Sequence, residues 1–255
     1  SLFPCTAPFL ATLQRLGLGF TFFTNNSSRS RADYVAKLRA FGLPADLRRV
    51  LVSTDAAVTG LRRQWPAARR IFALGTPSFL ADIAAAGFTL LPDSPAEPPD
   101  AVLVAYDPSV TYARLCRAAW WIRSGLPYVA TNPDYTCPTD EPTVLVDCGS
   151  LCAALHAATG RWPDLVAGKP HLLMMQTLFA REDLSAGETA MVGDRLMTDA
   201  TMARASGALG VVVLSGEATV DDVASFAPPP DLVVSDVGEL GNLLLAVRRA
   251  SPLAP

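Results

Sequence analysis

The chain has 255 residues, half of them hydrophobic, with a formal net charge of −3 and a pI near 5.4. That length can bury one large core or two modest ones, and the lack of any basic excess argues against a nucleic-acid partner. No apolar stretch reaches the roughly 18 residues needed to span a bilayer, and "SLFPCTAPFL" (1–10) has no basic segment or long apolar run, so neither a membrane span nor a signal peptide is expected.

In chain order, "GFTFFTNN" (Gly19–Asn26) reads as a buried strand. The helical pattern "SRADYVAKLRAFG" follows, with Ser27, Ser28 or Ser30 as cap candidates and Gly42 as its end. Further apolar runs predict strands over Arg70–Thr76, Ala101–Asp107, Pro127–Asn132, Thr189–Asp194, Leu209–Gly216 and Asp231–Asp236. Helical stretches lie between them, such as "TYARLCRAAWWIRSG", where Trp120 and Trp121 are expected in core or cap packing and not as a binding platform. Pro92–Asp100 and Asn132–Pro142 read as loops. Strand–helix alternation with unbroken apolar strands predicts an α/β fold, a parallel sheet with helices on both faces.

The five cysteines (Cys5, Cys116, Cys137, Cys148, Cys152) form no CxxC pair, and Cys148 and Cys152 have the spacing of buried neighbours on a helix. Reduced thiols in a cytoplasmic protein are expected, not a zinc site. The two histidines, His156 and His171, read as ordinary helix-surface residues.

In open α/β sheets ligands bind outside the carboxyl ends of the strands. Thr24, with Asn25 and Asn26, ends the first strand; Lys169 follows the short run "DLVA"; Asp194 ends "TAMVGD". Taken singly, these are a helix-cap region, a solvated lysine and a turn. Placed together at strand ends of one sheet, they are a hydroxyl with backbone N–H groups, a cation and a carboxylate, the set that holds a phosphate ester and Mg²⁺. Asp199, five positions past Asp194, is placed to hold a metal-bound water or to orient the loop.

The stretches "FFTNNSSRSRADYVAKLRAFG", "AGKPH" and "MVGDRLMTDATMARASGALGVVVLSG", in that order, closely resemble the haloacid-dehalogenase-like (HAD) phosphatases. The branch is the one that includes para-nitrophenyl, phosphoglycolate and pyridoxal phosphatases. The segments "ALGTPSFLADIAAAGF" and "YVATNPDYTCPT" look like that branch's large α/β cap, and the likeness runs from about Phe3 to beyond Gly216. It implies a Rossmann-like core over 1–53 and 164–255 with an inserted cap over 54–163. The chemistry implied is Mg²⁺-dependent hydrolysis of a small phosphorylated metabolite through an aspartyl-phosphate. Residue by residue, Thr24 would bind the phosphoryl group, with Asn25 and Asn26 beside it, and Lys169 would balance its charge. Asp194 would ligate Mg²⁺, Asp199 would support that site, and Asn132, Pro133 and Asp134 would face the leaving group. The resemblance also allows a homodimer through the cap.

The family's first motif, an apolar strand ending in Asp-x-Asp-Gly with the nucleophile and the general acid/base, is absent: no Asp-x-Asp occurs in the chain. The expectation is therefore a core lacking its first, central strand because the chain is N-terminally incomplete. The alternative is an inactive relative that serves as a phosphate-binding or interaction module. A nucleotide-binding Rossmann protein is disfavoured by the lack of GxGxxG after the first strand. A smaller departure is Asp147–Cys148, where the family has small residues ahead of Gly-Ser, so the substrate pocket is expected to differ in shape.

Overall fold

The computed structural model describes residues 2–250. Helix α1 (Thr6–Arg15) leads into β1 (Phe22–Thr24), α2 (Arg31–Ala40), β2 (Val50–Val52) and α3 (Ser53–Gln64). An inserted stretch follows: β3 (Arg70–Leu74), α4 (Pro77–Ala85), β4 (Thr89–Leu90), β5 (Ala101–Val104), α5 (Tyr112–Arg123), β6 (Tyr128–Ala130), β7 (Thr136–Cys137), β8 (Leu145–Val146), α6 (Cys148–Thr159) and β9 (Leu165–Val166). The chain returns through α7 (Leu173–Glu182), β10 (Ala190–Gly193), α8 (Thr201–Ser206), β11 (Leu209–Val213), α9 (Val220–Ser225), β12 (Leu232–Val234) and α10 (Val237–Ala250). No described helix is long and apolar enough to cross a membrane.

The inserted sheet is five-stranded and parallel, in the order β4-β3-β5-β6-β9. Its strands are unbroken apolar runs because both faces are covered. Alternate side chains point opposite ways. Ile71, Ala73, Ala101, Leu103 and Val129 face a core with α3, α4 and α7. Phe72, Leu74, Val102, Val104, Tyr128 and Ala130 face α5 and α6. Since α3 and α7 flank the inserted stretch in sequence, Leu51, Leu61, Met174 and Met191 share one apolar cluster with the inserted sheet.

The remaining parallel strands form two separate pieces, β1-β2 and β10-β11-β12. This corrects the expectation of three strand ends on a single sheet. Thr24 ends a strand of the first piece, and Asp194 follows a strand of the second. Lys169 follows β9, which pairs with β6 in the inserted sheet. The strand at 165–166 therefore belongs with that sheet, two residues beyond the expected boundary. Strand β1 is half-buried instead of buried, because β2 is its partner on one edge and no described strand pairs with the other.

Local signals explain the helix starts. Ser30, of the three candidates, caps α2: its Oγ accepts the Asp33 N–H at 3.1 Å, and Asp33 Oδ2 accepts the Ser30 N–H at 2.9 Å. Thr76 caps α4 through the Phe79 N–H at 3.2 Å, with Pro77 in the first turn. Two readings need correction. Trp121 is buried, but Trp120 points outward at 59% exposure, since neighbours on a helix lie about 100° apart. The segment read as a loop from Asn132 carries one strand of a short hairpin, β7 with β8, too brief to show alternation.

Because Leu61 is fully buried in the shared cluster, Leu61→Ala is expected to cost about 2–5 kcal/mol. The inserted sheet and the flanking strands should unfold together. Urea titrations followed by circular dichroism and by tryptophan fluorescence should give coincident curves, both shifted by the substitution.

Candidate active site

The loop from Thr24 to Ser28 leaves β1 and runs beneath the carboxyl ends of the inserted sheet. Four of that sheet's strands meet it. The Thr76 Oγ after β3 donates to the Ser28 carbonyl at 2.8 Å, and the Tyr106 N–H after β5 reaches Ser27 Oγ at 3.3 Å. After β6, Thr131 Oγ and Ser27 Oγ lie 3.0 Å apart, and Asn132 Nδ2 donates to the Asn25 carbonyl at 3.0 Å. After β9, the Lys169 N–H donates to Asn25 Oδ1 at 2.7 Å. Ser27, Thr131 and Asn132 are fully buried, so these polar groups depend on one another for partners.

From this loop a line of hydrogen bonds crosses to the Asp194 loop. Lys169 Nζ lies 2.8 Å from Asp199 Oδ1, with the two side chains 13% and 4% exposed. Asp199 Oδ2 accepts the Arg195 N–H at 3.2 Å, next in the chain to Asp194. Asp194 Oδ2 accepts the Glu217 N–H at 3.0 Å, and Arg195 pairs with Glu217 at 2.7 Å. The fit is tight: a Cβ on Gly193 would fall 2.2 Å from Asp199 Oδ2, and one on Gly216 would fall 2.1 Å from Asp194 Oδ2. Both glycines are set by the approach of a carboxylate, a signal that spacing alone does not carry.

The structure thus brings Thr24, Lys169, Asp194 and Asp199 into one connected region, but it assigns their atoms differently from the expectation. Thr24 Oγ accepts the Asn26 N–H at 3.1 Å, leaving its hydroxyl proton free to turn. Asn25 and Asn132, expected to meet the substrate, spend their carboxamides internally: Asn132 Oδ1 also accepts the Asp134 N–H at 3.0 Å. Asn26 Oδ1 accepts the Ser28 N–H at 2.9 Å. Asp134 is half-buried and takes a hydrogen bond from Asn25 Nδ2 at 3.1 Å. Pro133 is half-buried, and its carbonyl sits where a Cβ on Gly149 would be, at 2.2 Å. Each oxygen of Asp199 accepts one hydrogen bond, from Lys169 Nζ and from the Arg195 N–H, so it orients Lys169.

Asp147 and Cys137 were not among the expected site residues, yet both stand beside Asp134. Asp147 caps α6 through the Cys148 N–H at 2.6 Å and is buried. Burial pushes its carboxyl above the ordinary range, the Cys148 N–H opposes this, and the Asp134 charge adds to it. Burial, then Asp147 and Asp134, also push the Cys137 thiol up, which disfavours thiolate chemistry there. His156 stacks on Trp162 at 4.3 Å, and His171 Nδ1 accepts the Leu173 N–H at 3.1 Å, so His171 caps a helix start instead of lying on a helix surface.

The raised Asp147 carboxyl holds its proton more tightly folded than unfolded. It therefore weakens the folded state as pH climbs from the ordinary carboxylate range through the raised value. Asp147→Asn, which keeps the cap, should raise the melting temperature at pH 8 and leave it nearly unchanged near pH 3, where both forms are neutral. A calorimetric pH series checks this.

Comparison with known proteins gives a consistent result. Residues 1–89 match the haloacid dehalogenase-like hydrolase family, and residues 166–240 match a HAD-hydrolase-like family. The chain is 33% identical over 233 residues to glycerol-3-phosphate phosphatase of Gallus gallus, covering 84% of this chain and 74% of that one. It is 28% identical to the ribonucleotide monophosphatase NagD of Escherichia coli K12, covering 93% and 90%. The crystal structure of 4-nitrophenylphosphatase from Thermotoga maritima superposes with a TM-score of 0.88 at 38% identity, covering 95% of this chain and 90% of that one.

Proposed function

The chain belongs to the haloacid dehalogenase-like hydrolases, relatives of which are phosphatases, and on that premise we propose a Mg²⁺-dependent phosphatase of small phosphorylated metabolites, with the inserted sheet as its cap. The observation that carries the reading is the line of hydrogen bonds from Asn25, next to Thr24, through Lys169 and Asp199 to the Asp194 loop. The hydroxyl of Thr24, the cation of Lys169 and the carboxylate of Asp194, on or next to that line, are the groups that phosphoryl recognition needs. The names of relatives, glycerol-3-phosphate phosphatase and acid sugar phosphatase, favour a phosphorylated polyol or sugar as substrate. Five free cysteines suit a reducing compartment such as the cytoplasm.

Thr24 and the N–H groups of its loop would bind phosphoryl oxygens, and Lys169 would balance their charge. Asp134 would stand at the leaving-group side. For the metal, the chemistry of the donor set decides the fit. Asp194 has a carboxylate oxygen with no hydrogen-bond partner among the described residues, while each oxygen of Asp199 already accepts one hydrogen bond. Asp194 would therefore hold Mg²⁺, with Asp199 supporting the site through Lys169 and the Arg195 N–H. The ion would polarise the phosphoryl oxygens and shield their charge from the attacking carboxylate.

The 255 residues hold no Asp-x-Asp to supply the attacking group. We propose that it arrives on a strand pairing between β1 and β10, each of which has one edge without a partner among the described strands. Such a strand would satisfy backbone groups of both neighbours. It would also deliver the nucleophilic Asp, the proton-donating Asp and further oxygen ligands for the ion.

The test adds an upstream segment of about 20 residues carrying an apolar strand and Asp-x-Asp-Gly, enough for one strand and its turn. With para-nitrophenyl phosphate and Mg²⁺, the 255-residue chain should sit at background and the extended protein should turn over. In the extended protein, Lys169→Ala should lower kcat roughly 10²–10³-fold, as removing one preorganised phosphoryl contact does. Turnover by the unextended chain that vanishes in Asp194→Ala would place the nucleophile elsewhere. An extended protein that binds phosphate without turnover would be a phosphate-binding module instead.

We further propose a homodimer through the cap. Helix α5 exposes Tyr112 at 84% and Trp120 at 59%, two turns apart on one face with Cys116 between them. Sedimentation should show a dimer that Trp120→Glu converts to monomer without loss of fold.

A further inference from the structure

Asn25 is 9% exposed at the end of β1, and its carboxamide makes three hydrogen bonds. Oδ1 accepts the Lys169 N–H at 2.7 Å, while Nδ2 donates to the Lys169 carbonyl at 3.0 Å and to Asp134 Oδ2 at 3.1 Å. The first two grip both polar groups of one residue, as a neighbouring strand would. The third uses the last amide proton. The Asn25 carbonyl is held in turn by Ser53 Oγ at 2.6 Å and Asn132 Nδ2 at 3.0 Å, so the gripping side chain has a fixed base.

The neighbouring chain is fitted to this grip. A Cβ on Gly168 would lie 2.7 Å from Asn25 Oδ1 and 2.6 Å from the Thr131 carbonyl, closer than a side chain permits. Beyond Lys169, the ammonium meets Asp199 Oδ1 at 2.8 Å. Lys169 is thus fixed at its backbone by Asn25 and at its tip by Asp199. With both amide protons engaged, Asn25 Nδ2 has none to offer a substrate.

We propose that Asn25 is a positioning residue: it holds the main chain of Lys169, and so aims its ammonium, while tying that lysine to Asp134 on the leaving-group side. The proposal rests on the phosphatase reading for its catalytic meaning, but the grip itself can be read without turnover. In charge terms, a carboxamide is the side chain that suits the place. It offers an acceptor to one N–H and donors to a carbonyl and a carboxylate, which a carboxylate or an amine cannot do together.

Three variants test it: Asn25→Ala, Asn25→Asp, and Asn25→Asp combined with Asp134→Asn. Asn25→Asp keeps the shape and the acceptor, so it covers the case in which Asn25→Ala fails to fold. It loses both donors and sets a negative charge against Asp134. In the protein carrying the nucleophile strand, both single variants should lower kcat about 10-fold or more, with KM little changed. The combined variant restores a carboxamide donor between the two positions and should recover part of the Asn25→Asp loss.

In the 255-residue chain, hydrogen exchange of the Lys169 amide should be slow and should speed up at least 10-fold in Asn25→Ala, as loss of a buried acceptor requires. Equal exchange in both proteins overturns the proposal whether or not the enzyme reading holds. So does a lowered melting temperature with kcat intact. Faster exchange in a protein that never turns over supports the grip and sinks the phosphatase reading alone.

Discussion

The need to satisfy buried polar groups at the end of β1 governs the rest of the structure. A loop that leaves a strand and does not enter a helix at once carries N–H and C=O groups with no regular partner. Here Asn25 and Ser27 are buried, so water does not serve them. The inserted sheet supplies the partners: strand ends at Thr76, Tyr106, Thr131 and Lys169 each bring one polar group to residues 25–28. The position of the inserted sheet over the loop is thereby fixed by hydrogen bonds, and the apolar cluster shared through α3 and α7 keeps it there.

The same constraint explains why certain positions are glycine. Where a backbone passes a fixed side chain closer than a Cβ allows, no other residue serves. Gly168 beside Asn25, Gly193 beside Asp199 and Gly216 beside Asp194 are such passages. Each brings the main chain against a polar side chain, so each tightens the site at the cost of any tolerance to substitution.

Much of this was legible in the sequence, and the rest was hidden for physical reasons. Runs such as "AVLV" (101–104) announce strands covered on both faces, and Ser30 with Asp33 announces a helix start, because these are local effects. The residue types at 24, 169 and 194 announce phosphate chemistry through resemblance. What local pattern cannot carry is the choice of partner strand: "DLVA" looks alike whether it joins one sheet or another, and it joins the inserted one. Nor can it show that Asn25 and Asn132 turn inward. An asparagine beside a site has the chemistry of a ligand and of a brace alike, and only its neighbours decide.

Asp199 shows how those neighbours set a role. A carboxylate this near to Asp194 looks like a second metal ligand. With Lys169 on one oxygen and the Arg195 N–H on the other, it has already compensated its burial. Drawing it away toward a metal would weaken its hold on the largely buried lysine charge. The lysine gains from the arrangement. Of its three N–H donors, Asp199 takes one and fixes the axis of the ammonium, leaving two for an incoming anion. A phosphate monoester arriving with two charges would meet a cation already aimed, with no rotamer left to freeze. The buried pair thus spends electrostatic attraction on direction, which in the proposed mechanism is what phosphoryl transfer asks of this lysine.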